Sequence, residues 1–286
     1  MNVPDRLNLR LPTLGGKQLW ADEMLYAGYR IQQNGLTGHH RLLGPDDTRL
    51  AWGDYETCHA AWTRLKASRH VERPSRHLVL LLHGVFRSKD SWGPMTRALR
   101  RAGYDAQPVN YPSTRRSLED HAAQVERVLD RSEDVDRVSF VCHSMGGIVA
   151  RVLLGRGGSW RERIRPNRLV MIGTPNRGAE IAETLSGLPL FSATSGPSVD
   201  ALRPGHIDRV PLPDIPFGTI AGSSGRDAGY NPLLPGDDDM TVTVASTRLP
   251  GAEDELVVQA LHTFVMVKPE VVAATLRYLK SGRFQP

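Results

Sequence analysis

Apolar strand-length runs and stretches of helical spacing take turns along most of this chain. Leu78-Val79-Leu80-Leu81-Leu82 is unbroken hydrophobic sequence, the pattern of a parallel strand covered on both faces. Downstream, the patterning predicts strands over 105–110, 136–142 and 168–172, and helices over 91–102, 117–131 and 145–155. Phe217–Ala221 and Glu255–Ala260 read as two further strands, the second followed by a final helix. Such alternation predicts an α/β fold, a mostly parallel sheet with helices on both faces, whose functional loops gather at the carboxyl ends of the strands.

Upstream the pattern is different. Residues 17–33 read as an amphipathic helix carrying Leu19, Trp20, Met24, Leu25 and Ile31. Residues 39–52 read as a hairpin around Gly44-Pro45-Asp46-Asp47, and residues 55–68 as a helix with Cys58, Ala61, Trp62 and Leu65 on one side. Residues 1–76 are therefore expected to form a helical and hairpin extension on a core spanning 77–286, the whole making a single domain. The alternation breaks once, over 186–214, which is rich in Gly and Pro. There is no internal repeat.

The strand at 136–142 runs into His143-Ser144-Met145-Gly146-Gly147. A serine between a strand and a helix, flanked two residues away by small side chains, is the nucleophile-elbow pattern G-x-S-x-G. Gly146 satisfies the downstream position, and Cys142 replaces the upstream glycine with a compact side chain. The Met145 N–H would stand at a helix N-terminus, where negative charge is favoured. Acyl transfer needs a second N–H donor from a loop after an earlier strand. After His83-Gly84 the Val85 N–H is the natural choice, with Phe86 in reserve. His83 itself reads as a structural histidine.

In this arrangement the order along the chain is serine, acid, histidine. Only His206 and His262 follow Ser144. His206 precedes any strand able to present an acid, so His262, in the loop after 255–260, is the candidate general base. Asp237, Asp238 and Asp239 stand together after the 217–221 strand. One is expected to be buried against His262 and the other two to be solvated or to cap the turn, with Asp227 a weaker candidate and Asp254 too close to the histidine strand. The triplet offers oxygen ligands of the kind calcium takes, but six or more are needed and no metal is expected.

With these pieces in order, the chain resembles the bacterial serine esterases and lipases of the α/β-hydrolase superfamily. The resemblance is carried by His83-Gly84, the Ser144 elbow, Gly173-Thr174-Pro175-Asn176-Arg177-Gly178, Asp239-Met240-Thr241-Val242 and Leu261-His262-Thr263-Phe264. It implies the α/β-hydrolase fold and selects Asp239 by its Asp-x-x-Val register, although Met240 stands where relatives often have glycine and Asn176 where they often have histidine. It also implies that 186–214 is a short cap; Leu188, Leu190 and Phe191 in it would either line an acyl pocket, together with Phe86, or pack the segment down. The expected reaction is cleavage of carboxylic esters through an acyl-enzyme, with Ser144, His262 and Asp239 as triad and Val85 and Met145 as oxyanion donors. No cofactor is expected. A cap this short, without an extended amphipathic helix, favours short-to-medium acyl chains. Thioesterase, amidase or acyltransferase chemistry would use the same triad, whereas a non-catalytic binding protein on this fold would normally have lost part of it.

Composition adds exclusions. At 286 residues with 40% hydrophobic side chains, the chain can build a large core. The net charge of +5 comes from dispersed arginines (Arg64, Arg69, Arg73 and Arg76 by one linker, Arg97, Arg100, Arg101, Arg115 and Arg116 on helices) without a nucleic-acid motif, so a solvated basic surface and no nucleic-acid partner are expected. The partner is instead a small-molecule or lipid ester. Two cysteines far apart in sequence, no signal-like leader and no long apolar run predict a cytoplasmic protein without stable membrane insertion.

Overall fold

The computed structural model describes residues 17–179, 197–198 and 201–286. Its first part is an antiparallel sheet of β1 (Trp20–Tyr26), β2 (Tyr29–Asn34), β3 (His40–Leu43) and β4 (Arg49–Gly53), in that order, followed by α1 (Tyr55–Arg69). The hairpin and α1 lie where the sequence predicts them. The expected helix over 17–33 does not: these residues form β1 and β2, joined at Ala27-Gly28, both with positive φ (48° and 90°). A two-residue turn of this hand suits the twist of paired strands.

The alternation of β1 is hidden because the strand is covered on both sides. Met24 and Tyr26 pack with Cys58 and Trp62 of α1, while Leu25 joins the main core. Its acidic residues are buried as well. Asp22 accepts from Arg30 Nη1 at 2.7 Å, Gln32 Nε2 at 2.7 Å and the Asn110 N–H at 2.6 Å, and Glu23 pairs with Arg127 at 2.9 Å and with Arg131. Buried charges need such partners.

The main sheet contains β5 (His77–Leu82), β6 (Asp105–Val109), β7 (Arg137–His143), β8 (Arg165–Ile172), β9 (Phe217–Ser223) and β10 (Asp254–Gln259). All pairings are parallel, in the order β10-β9-β8-β7-β5-β6. Connecting helices are α2 (Gly93–Arg101), α3 (Leu118–Asp130) and α4 (Met145–Arg156), and α5 (Pro269–Ser281) ends the chain's regular structure. β5 shows why its sequence is uninterruptedly apolar. Leu78, Leu80 and Leu82 pack on the side of α3 and α4, and Val79 and Leu81 on the side of α2 and α5. This arrangement is an α/β fold with helices on both faces of a parallel sheet.

Not every arginine is on the surface. Arg73 is buried, paired with Asp105 at 2.5 Å and donating to the Leu25 carbonyl, so it ties the linker between the two sheets to both. Cys58 and Cys142 are buried and free. No helix among the described residues is long and apolar enough to cross a membrane.

Candidate active site

Strand order brings the loops after β5, β7, β9 and β10 to one edge of the sheet, and there Ser144, His262 and Asp239 meet. His262 Nε2 lies 3.0 Å from Ser144 Oγ, and His262 Nδ1 lies 2.7 Å from Asp239 Oδ2. Asp239 is fully buried. Its Oδ1 accepts the N–H groups of Thr241 and Val242 at 3.1 and 2.8 Å. A carboxylate cannot donate, so Nδ1 carries the proton and Nε2 offers its lone pair to the serine hydroxyl.

Ser144 sits between β7 and α4 with φ 53° and ψ −129°, a conformation that costs a non-glycine residue about 1–3 kcal/mol. The turn is held by Ser144 N–H donating to the Ile172 carbonyl at 2.9 Å and by Thr174 Oγ1 donating to the Ser144 carbonyl at 3.0 Å. The glycine two residues on is obligatory, since a Cβ on Gly146 would stand 2.2 Å from the Leu82 carbonyl oxygen. The upstream position is less demanding, and Cys142 fits there with its side chain fully buried.

The β5 loop makes a turn in which the Arg87 N–H approaches the Gly84 carbonyl at 3.4 Å, with Phe86 at φ 59°. A Cβ on Gly84 would lie 3.3 Å from Ser144 Oγ, so this turn rests on the serine. Neither the Val85 nor the Met145 N–H meets a protein acceptor among the described residues. Phe86 is 64% exposed. Leu188, Leu190 and Phe191 lie outside the described residues, as do residues 186–196 and 199–200 of the expected cap. Its described end is anchored to α4, where buried Arg151 donates to the carbonyls of Val210, Pro211 and Asn176 at 2.6, 3.1 and 3.2 Å. Burial pushes the Arg151 pKa down to about 10.

The expectation of solvation fails at Asp238 and holds in part at Asp237, which is half-buried, and both carboxylates cap the loop. Asp238 is fully buried and accepts the N–H groups of Met240 at 2.6 Å and Asn231 at 3.2 Å. Asp237 accepts the Ser223 hydroxyl and, at 2.8 Å, the Ser224 N–H. Burial pushes the Asp237 carboxyl up, but these donors outweigh it and hold it below the usual carboxylate value. The three side chains thus divide a crowded loop among themselves, and only Asp239 reaches His262. Asp227 is exposed, and His206 lies in a one-turn helix, Pro204–Ile207, away from the serine.

Sequence reasoning missed several neighbours. His143, beside the serine, is buried with its ring 4.7 Å from that of His262, and its Nε2 donates to the His262 carbonyl at 3.0 Å. Burial, with the adjacent His262 and Arg87, holds its pKa well below 6.5, so the imidazole is neutral. Arg87 Nη2 donates to the Thr263 carbonyl at 3.0 Å and links the β5 turn to the histidine loop. Gly173 and Gly222 leave room for the pair: a Cβ would lie 3.2 Å from His262 Nδ1 at the first and 2.7 Å from Asp239 Cβ at the second. The Gly173-Thr174 pair within the third motif was the available signal for this support.

Fold and topology define the class: this is an α/β-hydrolase fold. It is shared with the mature lipase BlEst2 of Bacillus licheniformis (TM-score 0.57, 19% identity, covering 71% of this chain and 90% of that one) and with the metagenomic carboxyl esterase MGS0156 (TM-score 0.56, 18% identity, 72% and 76%). Phospholipase PlaB of Legionella pneumophila is similar at TM-score 0.53 and 14% identity, over 71% of this chain and 59% of that one. No curated protein matches in sequence. Residues 48–192, just over half of the chain, match a domain of unknown function (DUF7379), and the chain belongs to that family.

Proposed function

We propose that this protein is a serine hydrolase that cleaves carboxylic esters through an acyl-enzyme. The reading is carried by one observation, the unbroken hydrogen-bond chain from Asp239 through His262 to a serine in a strained turn. His262 takes the hydroxyl proton as Ser144 attacks the carbonyl carbon. Asp239 holds the imidazole in the required tautomer and stabilises its positive form. The Met145 and Val85 N–H groups receive the developing oxyanion. His262 then protonates the leaving alcohol, activates water, and the acid departs. The lipolytic character of the structural neighbours supports an ester substrate, and the short cap segment supports short-to-medium acyl chains. Two buried free cysteines fit work in a reducing compartment such as the cytoplasm.

A panel of p-nitrophenyl esters from acetate to palmitate, with matching thioesters, tests the reading alongside labelling by a fluorophosphonate. We expect ester turnover, strongest below the long chains, and a single adduct on Ser144. An adduct elsewhere, or turnover that survives Ser144→Ala, would defeat the assignment, and a preference for thioesters would move it to thioesterase chemistry.

A further inference from the structure

We propose that His83 is a positioning residue for the oxyanion hole, its imidazole setting the direction in which the Val85 N–H faces. The proposal rests on the acyl-transfer reading of the Ser144 site. The Gly84 carbonyl and the Val85 N–H belong to one peptide unit, and in a trans peptide they point in opposite directions. No described peptide is cis. Whatever grips the carbonyl therefore aims the N–H.

His83 Nδ1 lies 2.9 Å from the Gly84 carbonyl oxygen. A carbonyl only accepts, so Nδ1 carries the proton. The Arg87 N–H reaches the same oxygen at 3.4 Å, the long end of the hydrogen-bond range, which leaves the imidazole as the main tether. The His83 ring is itself immobilised. It is fully buried and stacked on Tyr111, with centroids 4.0 Å apart and planes inclined by 14°. The Tyr111 hydroxyl donates to the His83 carbonyl, so two successive carbonyls of the turn are pinned from within the core. The turn's other side lies against the nucleophile, where a methyl on Gly84 would be 2.9 Å from Ser144 Cβ. If the 84–85 peptide rotated by half a turn, a carbonyl oxygen would replace the donor and repel the developing anion.

A second observation separates positioning from packing. His83 Nε2 is buried with no hydrogen-bond partner among the described residues. Burying an unsatisfied polar atom is unfavourable, so a leucine would serve better as mere filling. The contact that justifies a histidine here is the one from Nδ1.

The test measures kcat and KM for p-nitrophenyl butyrate, and the rate of Ser144 labelling by a fluorophosphonate, in His83→Leu, His83→Asn and Tyr111→Phe. The asparagine amide nitrogen takes the place of Nδ1, so His83→Asn keeps the donor that His83→Leu removes. Complete loss of one oxyanion donor costs about 10²–10³ in kcat. We expect His83→Leu to lose roughly 10- to 100-fold in kcat and in labelling rate with KM little changed, the signature of an interaction made only in the transition state. His83→Asn should recover most of that loss. Tyr111→Phe, which removes only the hydroxyl, should show a smaller loss in the same direction and carries the test if His83→Leu does not fold. A folded His83→Leu with parental kcat, an asparagine variant no better than the leucine one, or parental kcat in Tyr111→Phe when the leucine variant is unfolded, overturns the proposal. A parent protein that neither hydrolyses the ester nor takes the label overturns the reading of the site, and the positioning role with it.

Discussion

Asp239 holds His262 by two independent links. The carboxylate Oδ2 meets Nδ1 at 2.7 Å, and the Asp239 carbonyl accepts the His262 N–H at 2.8 Å. Only the first depends on the side chain. In Asp239→Asn the amide oxygen is kept on the Thr241 and Val242 N–H groups, which turns the amide nitrogen toward His262. Nδ1 must then accept, the proton moves to Nε2, and the serine loses its base. The expected result is a fall in kcat on the order of 10⁴, as in the serine-protease case of the same substitution. The melting temperature should be little changed, because the backbone link persists. Steady-state kinetics beside thermal melts check both halves, and a variant that keeps more than a tenth of parental kcat would remove Asp239 from the triad.

Asp238 is expected to behave in the opposite way. Its buried carboxylate accepts N–H groups from Asn231 and Met240 and does not touch His262. Asp238→Ala leaves those donors unpaired, at a cost of about 1–3 kcal/mol each where no water reaches them. We expect a lowered urea midpoint, and a kcat loss small beside that of Asp239→Asn. A kcat effect as large as at Asp239, with stability intact, would contradict the division of the loop described above.

The residues that meet at the candidate site were legible because each follows a strand whose pattern is unambiguous. Ser144, Asp239 and His262 stand in the connections that follow β7, β9 and β10, and the order of motifs leaves little choice among the histidines. The first hairpin was not legible. Burial of β1 on both faces removed the alternation that marks a half-covered strand, and Asp22 and Glu23 looked like the polar face of a helix because their arginine and glutamine partners are distant in sequence. The same blindness to partners made Asp238 look solvated and Arg73 look like surface. Pattern reports which positions are apolar, and a buried charge is recognised only through the residue that neutralises it.

The elbow supplies a third prediction, on stability. At Gly146 a methyl would meet the carbonyls of Leu82 and His83 at 2.2 and 2.9 Å, both backbone atoms at the end of a central strand. Neither can move without disturbing the β5 turn. Gly146→Ala should therefore cost at least the upper end of the about 1–3 kcal/mol typical of overpacking, and with it the Ser144 label. Gly103→Ala is the matched control for introducing a side chain, since no heavy atom lies within 4 Å of its Cβ position, although its φ of 88° adds strain of its own. Equal stability of the two variants would show that the elbow is less crowded than these distances imply.

Two buried histidines predict acid lability independent of catalysis. Burial pushes the pKa of His83 down to about 3 and that of His121 down to about 4. In the unfolded chain each titrates near 6.5. Above that pH both are neutral whether folded or not, and they contribute nothing to the pH dependence. Below it the unfolded chain binds protons that the folded protein refuses, so stability is lost as pH falls from about 6.5 toward 4, by about 1.4 kcal/mol per pH unit for each residue. The pair removes roughly 3 kcal/mol per unit, a large share of the about 5–15 kcal/mol available to a typical protein. Urea unfolding at pH 7, 6 and 5 should show this decline. In His121→Gln, whose amide nitrogen replaces the Nε2 that faces Ser198 Oγ at 3.3 Å, the slope between pH 6 and 5 should fall by about one proton per molecule. An unchanged slope in that variant would mean that His121 takes up its proton while folded, and that the column from His83 through Tyr111 to His121 is open to water.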